Sequence, residues 1–212
     1  MNYVLVTVLL GVKHYNLNNN SEVLINMGAS GKERYMSIEQ LKQEIPDFAK
    51  DIRLNVSNLF GNMAQSGLTE TQFYGVALAV AYTLKDRRII DAIKADGALY
   101  ITAELDHAVQ TAAALMAMNN IYYRAIHLAE NKELASLPAN LRMNGMINPG
   151  VPKADFELFA LAVSAINGCG MCIHSHVKQL LEHELNKIAV QSVLRIAAVL
   201  NACSFALSQN EL

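Results

Sequence analysis

An all-α fold is predicted by three features of this sequence. Ala and Leu are abundant while Trp is absent and only four prolines occur, a composition that favours helices over a β-rich chain. Two capping-box signatures, Ser37 with Gln40 and Thr69 with Gln72, mark helix starts. No stretch alternates well enough to argue for a sheet. A chain of 212 residues can bury a continuous apolar core without a disulfide or metal staple, as one domain or two closely packed halves.

Residues 1–35 look foreign to the rest of the chain. The run Tyr3 to Leu10 is apolar and β-prone, the stretch Asn16 to Glu22 is mostly polar, and a Gly-containing basic patch comes next, all without helical period. The run lacks a basic flank and a cleavage site for a signal peptide and is far too short to span a bilayer. It reads as a disordered extension, with the domain proper at 36–212. The helical pattern begins at Met36-Ser37-Ile38-Glu39-Gln40, and the second capping box opens the strongly apolar segment Phe73 to Leu84. Further helical stretches cover about Arg87 to Ala95, Glu104 to Met118, Ile121 to Glu130, Ala154 to Ile166, Gly170 to Glu184 and Lys187 to Leu207. Breaks fall where Gly, Pro and Asn gather, at Asp96-Gly97, at 148–152 and at Asn167-Gly168.

The segment Phe73 to Ala81 echoes Phe156 to Ser164, so the fold is read as two related helical units. Only the second carries chemistry. Where it has Cys169, Cys172 and His176, the first has Asp86, Ile89 and Ile93.

If Asn167-Gly168 turns an αα-hairpin, Cys169 and Cys172 fall in the first turn of the next helix, where unpaired N–H groups and the helix dipole favour a thiolate. Cys169, Cys172, Ile173 and His176 then share one face, and His174 points elsewhere. A base one turn beyond a thiol can take its proton, and a thiol one turn before can attack an oxidised sulfur. Glu157, on the preceding helix at comparable distance from the turn, is placed to orient the His176 imidazole. The same Cys-x2-Cys-x3-His run with Glu157 also offers four zinc ligands, and two cysteines can simply be small apolar residues. Cys203, in an apolar helix, reads as core, as do Met116, Met118, Met143 and Met146; His14 lies in the extension, and His107, His127 and His183 read as surface groups.

With these residues in view, the chain resembles the alkyl hydroperoxidase D family, within the carboxymuconolactone-decarboxylase-like superfamily. The likeness runs through Met36-Ser37-Ile38-Glu39, Leu41 and Pro46, then Met118 to Arg124, Leu141-Arg142-Met143 and Asn148-Pro149-Gly150, and culminates in Phe156-Glu157 and Ser164 to Cys169. It implies a compact helical fold, a homotrimer, and an antioxidant alkyl hydroperoxide reductase with a redox-active Cys169–Cys172 disulfide. It further implies reduction by dihydrolipoamide on a 2-oxoacid dehydrogenase component, with no bound cofactor or metal, and the ability to recycle the peroxiredoxin AhpC. It also places the usual start near Met36, which makes an upstream start the other reading of residues 1–35. By position, Cys172 is the peroxidatic nucleophile that becomes a sulfenic acid, Cys169 the proton donor and resolving thiol, and Glu157 and His176 the proton relay. One departure stands out: the family carries a histidine where this chain has Met171, and a thioether cannot transfer a proton. Lower activity or a shifted pH optimum is expected from it.

Two other functions compete. One is an enzyme of the wider carboxymuconolactone-decarboxylase-like group without redox cycling, and the other is a zinc-stabilised helical interaction module. Only 17% of residues are charged and the net charge is −2, which argues against nucleic acid or an anionic membrane as partner. Three cysteines, two of them closely spaced, do not form a secreted disulfide framework, and a cytoplasmic location is expected.

Overall fold

The structure is a computed structural model that describes residues 6–8, 11–13 and 36–211. Contacts divide the chain between Arg34 and Tyr35. In the first unit, Val6–Val8 (β1) pairs antiparallel with Gly11–Lys13 (β2), Thr7 opposite Val12, where β-branched residues suit an extended backbone. The remainder of the expected extension lies outside the described residues.

The second unit is all-helical among its described residues. Its α-helices are Ile38–Glu44 (α1), Lys50–Gly61 (α2), Glu70–Leu84 (α3), Arg87–Asp96 (α4), Ala103–Leu128 (α5), Lys132–Ser136 (α6), Lys153–Ile166 (α7), Gly170–Glu182 (α8) and Lys187–Ser208 (α9). Both capping boxes form as the sequence predicts: Ser37 and Gln40 close the start of α1, and Thr69 and Gln72 that of α3. The helix α2 has no side-chain cap, which is why no start signal marks it in the sequence.

The two echoed segments, α3 and α7, pack on each other more extensively than any other pair. Phe73 through Ala81 and Leu158 through Ser164 are buried without interruption, the pattern of helices apolar on every side and therefore central. Their approach is close. A Cβ at Gly75 would sit 2.5 Å from the Phe159 ring, so a side chain there would have to displace a core aromatic. Packed on this pair are α5 and α9. α9 is long and apolar enough to cross a membrane, yet Val193, Ile196, Leu200 and Leu207 are buried and the helix packs on α2, α3 and α7.

One expectation is corrected here. The sequence reads as two helices broken at Asn119-Asn120, but α5 runs through both as a single helix of 26 residues. Asparagine disfavours helix interiors because its side chain competes for local backbone groups. Asn120 instead donates to Ser164 Oγ on α7 at 2.9 Å and accepts from Asn167 Nδ2 at 3.0 Å, so its amide is engaged in tertiary bonds.

Candidate active site

The site is built where α7 turns into α8. The Asn167 N–H bonds back to Val163 O, Gly168 takes φ +64°, and the Cys169 N–H donates to Ser164 O at 3.1 Å. The positive φ is the left-handed region that glycine enters without a Cβ penalty. Asn120 and Arg124 on α5 pin the turn, the first to the Asn167 side chain and the second by donating to the Asn167 carbonyl.

Cys169 is the N-cap of α8 and its sulfur accepts from the Cys172 N–H at 3.4 Å. Both sulfurs thus sit at the positive end of a helix 13 residues long, which stabilises a thiolate when the pair is reduced. In the structure they are joined as a disulfide with Cα atoms 5.3 Å apart. Cys169 is wholly buried, and Cys172 is 8% exposed.

One turn further, His176 Nδ1 lies 2.6 Å from Glu157 Oε2 on α7. A carboxylate only accepts, so with Glu157 ionised the hydrogen sits on Nδ1 and Nε2 is left as the nitrogen able to take or give a proton. Both groups are largely shielded, their side chains 8% and 17% exposed. Shielding from water keeps such a pair rigid and its electrostatics strong.

A cavity of about 280 Å³ opens beside Cys172 and His176. Four methionines line it, Met116, Met143, Met146 and Met171, together with Asn119, Tyr123 and Ser175. Three of the four methionines read as packing residues in the sequence therefore face a space next to the cysteine; Met118 is not among the lining residues. Met171 is 45% exposed on this wall. His174 is exposed and faces a different surface with Lys178 and Leu181, away from this cavity.

Cys203 is buried as predicted, and burial, reinforced by the Asp86 charge, pushes its thiol up to about 12. His107, His127 and His183 are exposed and absent from the cavity lining, and His14 lies outside the described residues.

Comparison with known proteins places the chain in a family. The chain is 49% identical over 172 residues to the alkyl hydroperoxide reductase AhpD of a Bradyrhizobium species, covering 81% of this chain and 93% of the relative. The chain belongs to the AhpD family. A second AhpD, from Rhodopseudomonas palustris, is 50% identical over 79% of this chain and 91% of its own length, and one from Coxiella burnetii is 49% identical over 77% and 93%. A model of the carboxymuconolactone decarboxylase family matches residues 132–207, which hold the cysteines, His176 and Glu157.

Sequence reasoning named the four residues, Cys169, Cys172, His176 and Glu157, that the α7–α8 hairpin brings together. It gave no role to Asn119, Asn120, Arg124 or Tyr123, although these form one face of α5 at helical spacing. The signal was an i, i+1, i+4, i+5 set of polar and aromatic residues inside an apolar helix.

Proposed function

We propose that the protein is an alkyl hydroperoxide reductase that cycles Cys169 and Cys172 between dithiol and disulfide. The observation that carries this is the His176–Glu157 hydrogen bond one turn from a cysteine pair at a helix N-terminus, open to a cavity on the Cys172 side. The names of the AhpD relatives point to the same chemistry.

In the cycle, the Cys172 thiolate attacks the terminal oxygen of ROOH. An S–O bond forms, the O–O bond breaks, and the departing alkoxide takes the Cys169 proton through His176, which Glu157 holds in place. The Cys169 thiolate then attacks Cys172 Sγ, hydroxide leaves and becomes water with the proton that Cys172 released on forming its thiolate, and the disulfide closes. Overall, ROOH and two thiols give ROH, water and a disulfide. Cys172 is the nucleophile because the cavity reaches it while Cys169 is buried behind it. Dihydrolipoamide on a 2-oxoacid dehydrogenase component returns the two hydrogens, and the same dithiol recycles oxidised AhpC. The working form in this reading is a homotrimer in the cytoplasm, a compartment that keeps a dithiol reduced.

A thiol titration of the native reduced protein, before and after one equivalent of cumene hydroperoxide and again after dihydrolipoamide, tests this. Two titratable thiols are expected, since Cys203 is buried; both disappear with peroxide and both return. No loss of thiols would overturn the proposal and turn attention to metal content and the decarboxylase-like reading.

A further inference from the structure

We propose that the methionine-lined cavity seats the organic group of the hydroperoxide and that Asn119 is a positioning residue for its O–O–H group. The proposal rests on the peroxidase reading of the site and names how that site chooses its substrate.

Size comes first. A water molecule needs only about 10–15 Å³ of cavity volume, so hydrogen peroxide would leave most of a cavity of about 280 Å³ unfilled. The wall is unusual in kind as well. Met116, Met143, Met146 and Met171 are unbranched and polarizable, and such side chains mould themselves to apolar groups of varied shape. An alkyl or aryl group placed there leaves its peroxide head beside Cys172.

Asn119 supplies the polar contact. It is 4% exposed, on the α5 wall of the cavity. Among the described residues its Nδ2 has only thioether partners, Met143 Sδ at 3.1 Å and Met146 Sδ at 3.9 Å, and its Oδ1 is buried with none. A thioether is a weak acceptor, and a buried carbonyl oxygen without a donor is a rare and costly arrangement. The neighbouring Asn120 shows the contrast, because its two ends are matched by Ser164 and Asn167. Only weak sulfur contacts have to be given up for the Asn119 amide, on the cavity wall, to engage a ligand there. Carboxamide and hydroperoxide are complementary: Oδ1 accepts from the peroxide O–H, and Nδ2 donates to the oxygen bound to carbon. As the Cys172 S–O bond forms and the O–O bond breaks, that second oxygen becomes the alkoxide, and the Nδ2–H bond to it strengthens. The proton that completes the alcohol still arrives through His176; the amide transfers none.

The test compares second-order rates of Cys172 oxidation by cumene hydroperoxide and by hydrogen peroxide with the rate of its alkylation by iodoacetamide, in the reduced full-length protein and in Asn119→Leu, Asn119→Ser and Met146→Ala. Alkylation needs the thiolate but no aligned peroxide. Asn119→Leu is expected to slow both peroxides by about tenfold or more at unchanged alkylation rate, with part of the loss recovered in Asn119→Ser. Met146→Ala is expected to lower the rate with cumene hydroperoxide relative to that with hydrogen peroxide. If Asn119→Leu slows alkylation as much as oxidation, or slows neither, the positioning role is overturned. A wild-type protein that is alkylated at Cys172 yet inert to both peroxides would instead sink the peroxidase reading beneath it.

Discussion

The hairpin α3–α4 and the hairpin α7–α8 are the same device put to different ends. In each, a buried apolar helix ends in a left-handed residue, Lys85 at φ 59° and Gly168 at φ 64°, and the next residue caps the following helix. In the first, that cap is Asp86, whose carboxylate accepts from the Arg88 N–H, the Arg88 guanidinium and Ser204 Oγ. In the second it is Cys169, whose sulfur accepts from Cys172 N. One and two turns on, the first hairpin buries Ile89 and Ile93 where the second buries Cys172 and His176. The scaffold exposes helix N–H groups at a tight turn in both places; an oxygen takes them in the first, and a sulfur, with a second cysteine and a histidine further along the same face, takes them in the second.

That contrast makes the largest expected effect a chemical one. Cys172→Ser should abolish hydroperoxide turnover, and Cys169→Ser should stop the cycle while leaving a sulfenic acid on Cys172 that dimedone traps. Under reducing conditions neither should shift the denaturant midpoint by much, since serine is close in size and a good cap. Retained turnover in Cys172→Ser would overturn the assignment of the nucleophile, and a large loss of stability in Cys169→Ser would mean that the second hairpin's cap is structural after all.

Asp86 should behave in the opposite way. Asp86→Ala removes a cap and a largely buried ion pair and is expected to cost about 2–3 kcal/mol, read from urea unfolding, without changing the chemistry of the cysteines. Burial pushes the Asp86 carboxyl up, but the Arg88 and Ser204 hydrogen bonds and the Arg88 charge together outweigh it and hold the group below the ordinary aspartate value. A lowered native pKa gives stability that is present above the unfolded value near 3.8 and is lost as pH falls through the native one. Asp86→Asn should therefore narrow the stability gap between pH 7 and pH 3 relative to wild type. An equal gap in both proteins would show that this carboxylate does not contribute to acid unfolding.

Much of this was legible in the sequence, and the limits have physical causes. The capping boxes at Ser37 and Thr69 announced α1 and α3, and an apolar run announced the uncapped α7, whereas α2 and the five-residue α6 were not read at all. The placing of Cys169, Cys172, His176 and Glu157 came from helical spacing on two segments joined by a recognisable turn. Asn119 and Asn120 misled because local propensity treats an asparagine pair as a break, and only partners on other segments, Ser164 and Asn167 for Asn120 and the methionines for Asn119, decide otherwise. The cavity was invisible for the same reason. Met143 and Met146 come from the long connection before α7, and their meeting with α5 and α8 is a tertiary fact that periodicity does not encode.

The smallest effect concerns the turns themselves. An L-residue in the left-handed region is disfavoured by about 1–2 kcal/mol, and Lys85 holds that conformation while exposed, so its side chain offers little packing in return. Glycine there would relieve the backbone but give the unfolded chain more freedom, an offset of about 0.5–1 kcal/mol. Lys85→Gly should thus stabilise the protein by roughly 0.5–1 kcal/mol. Gly168→Ala is the mirror experiment. A Cβ at Gly168 would meet only Arg124 Nη1 at 3.9 Å, an ordinary contact, so any loss of about 1 kcal/mol is backbone strain and not a clash. Opposite shifts of the urea midpoint in the two variants would establish that both hairpins turn on the same left-handed residue. A destabilised Lys85→Gly would mean that the first turn depends on its lysine, and the two hairpins would then be alike in path but not in what holds them.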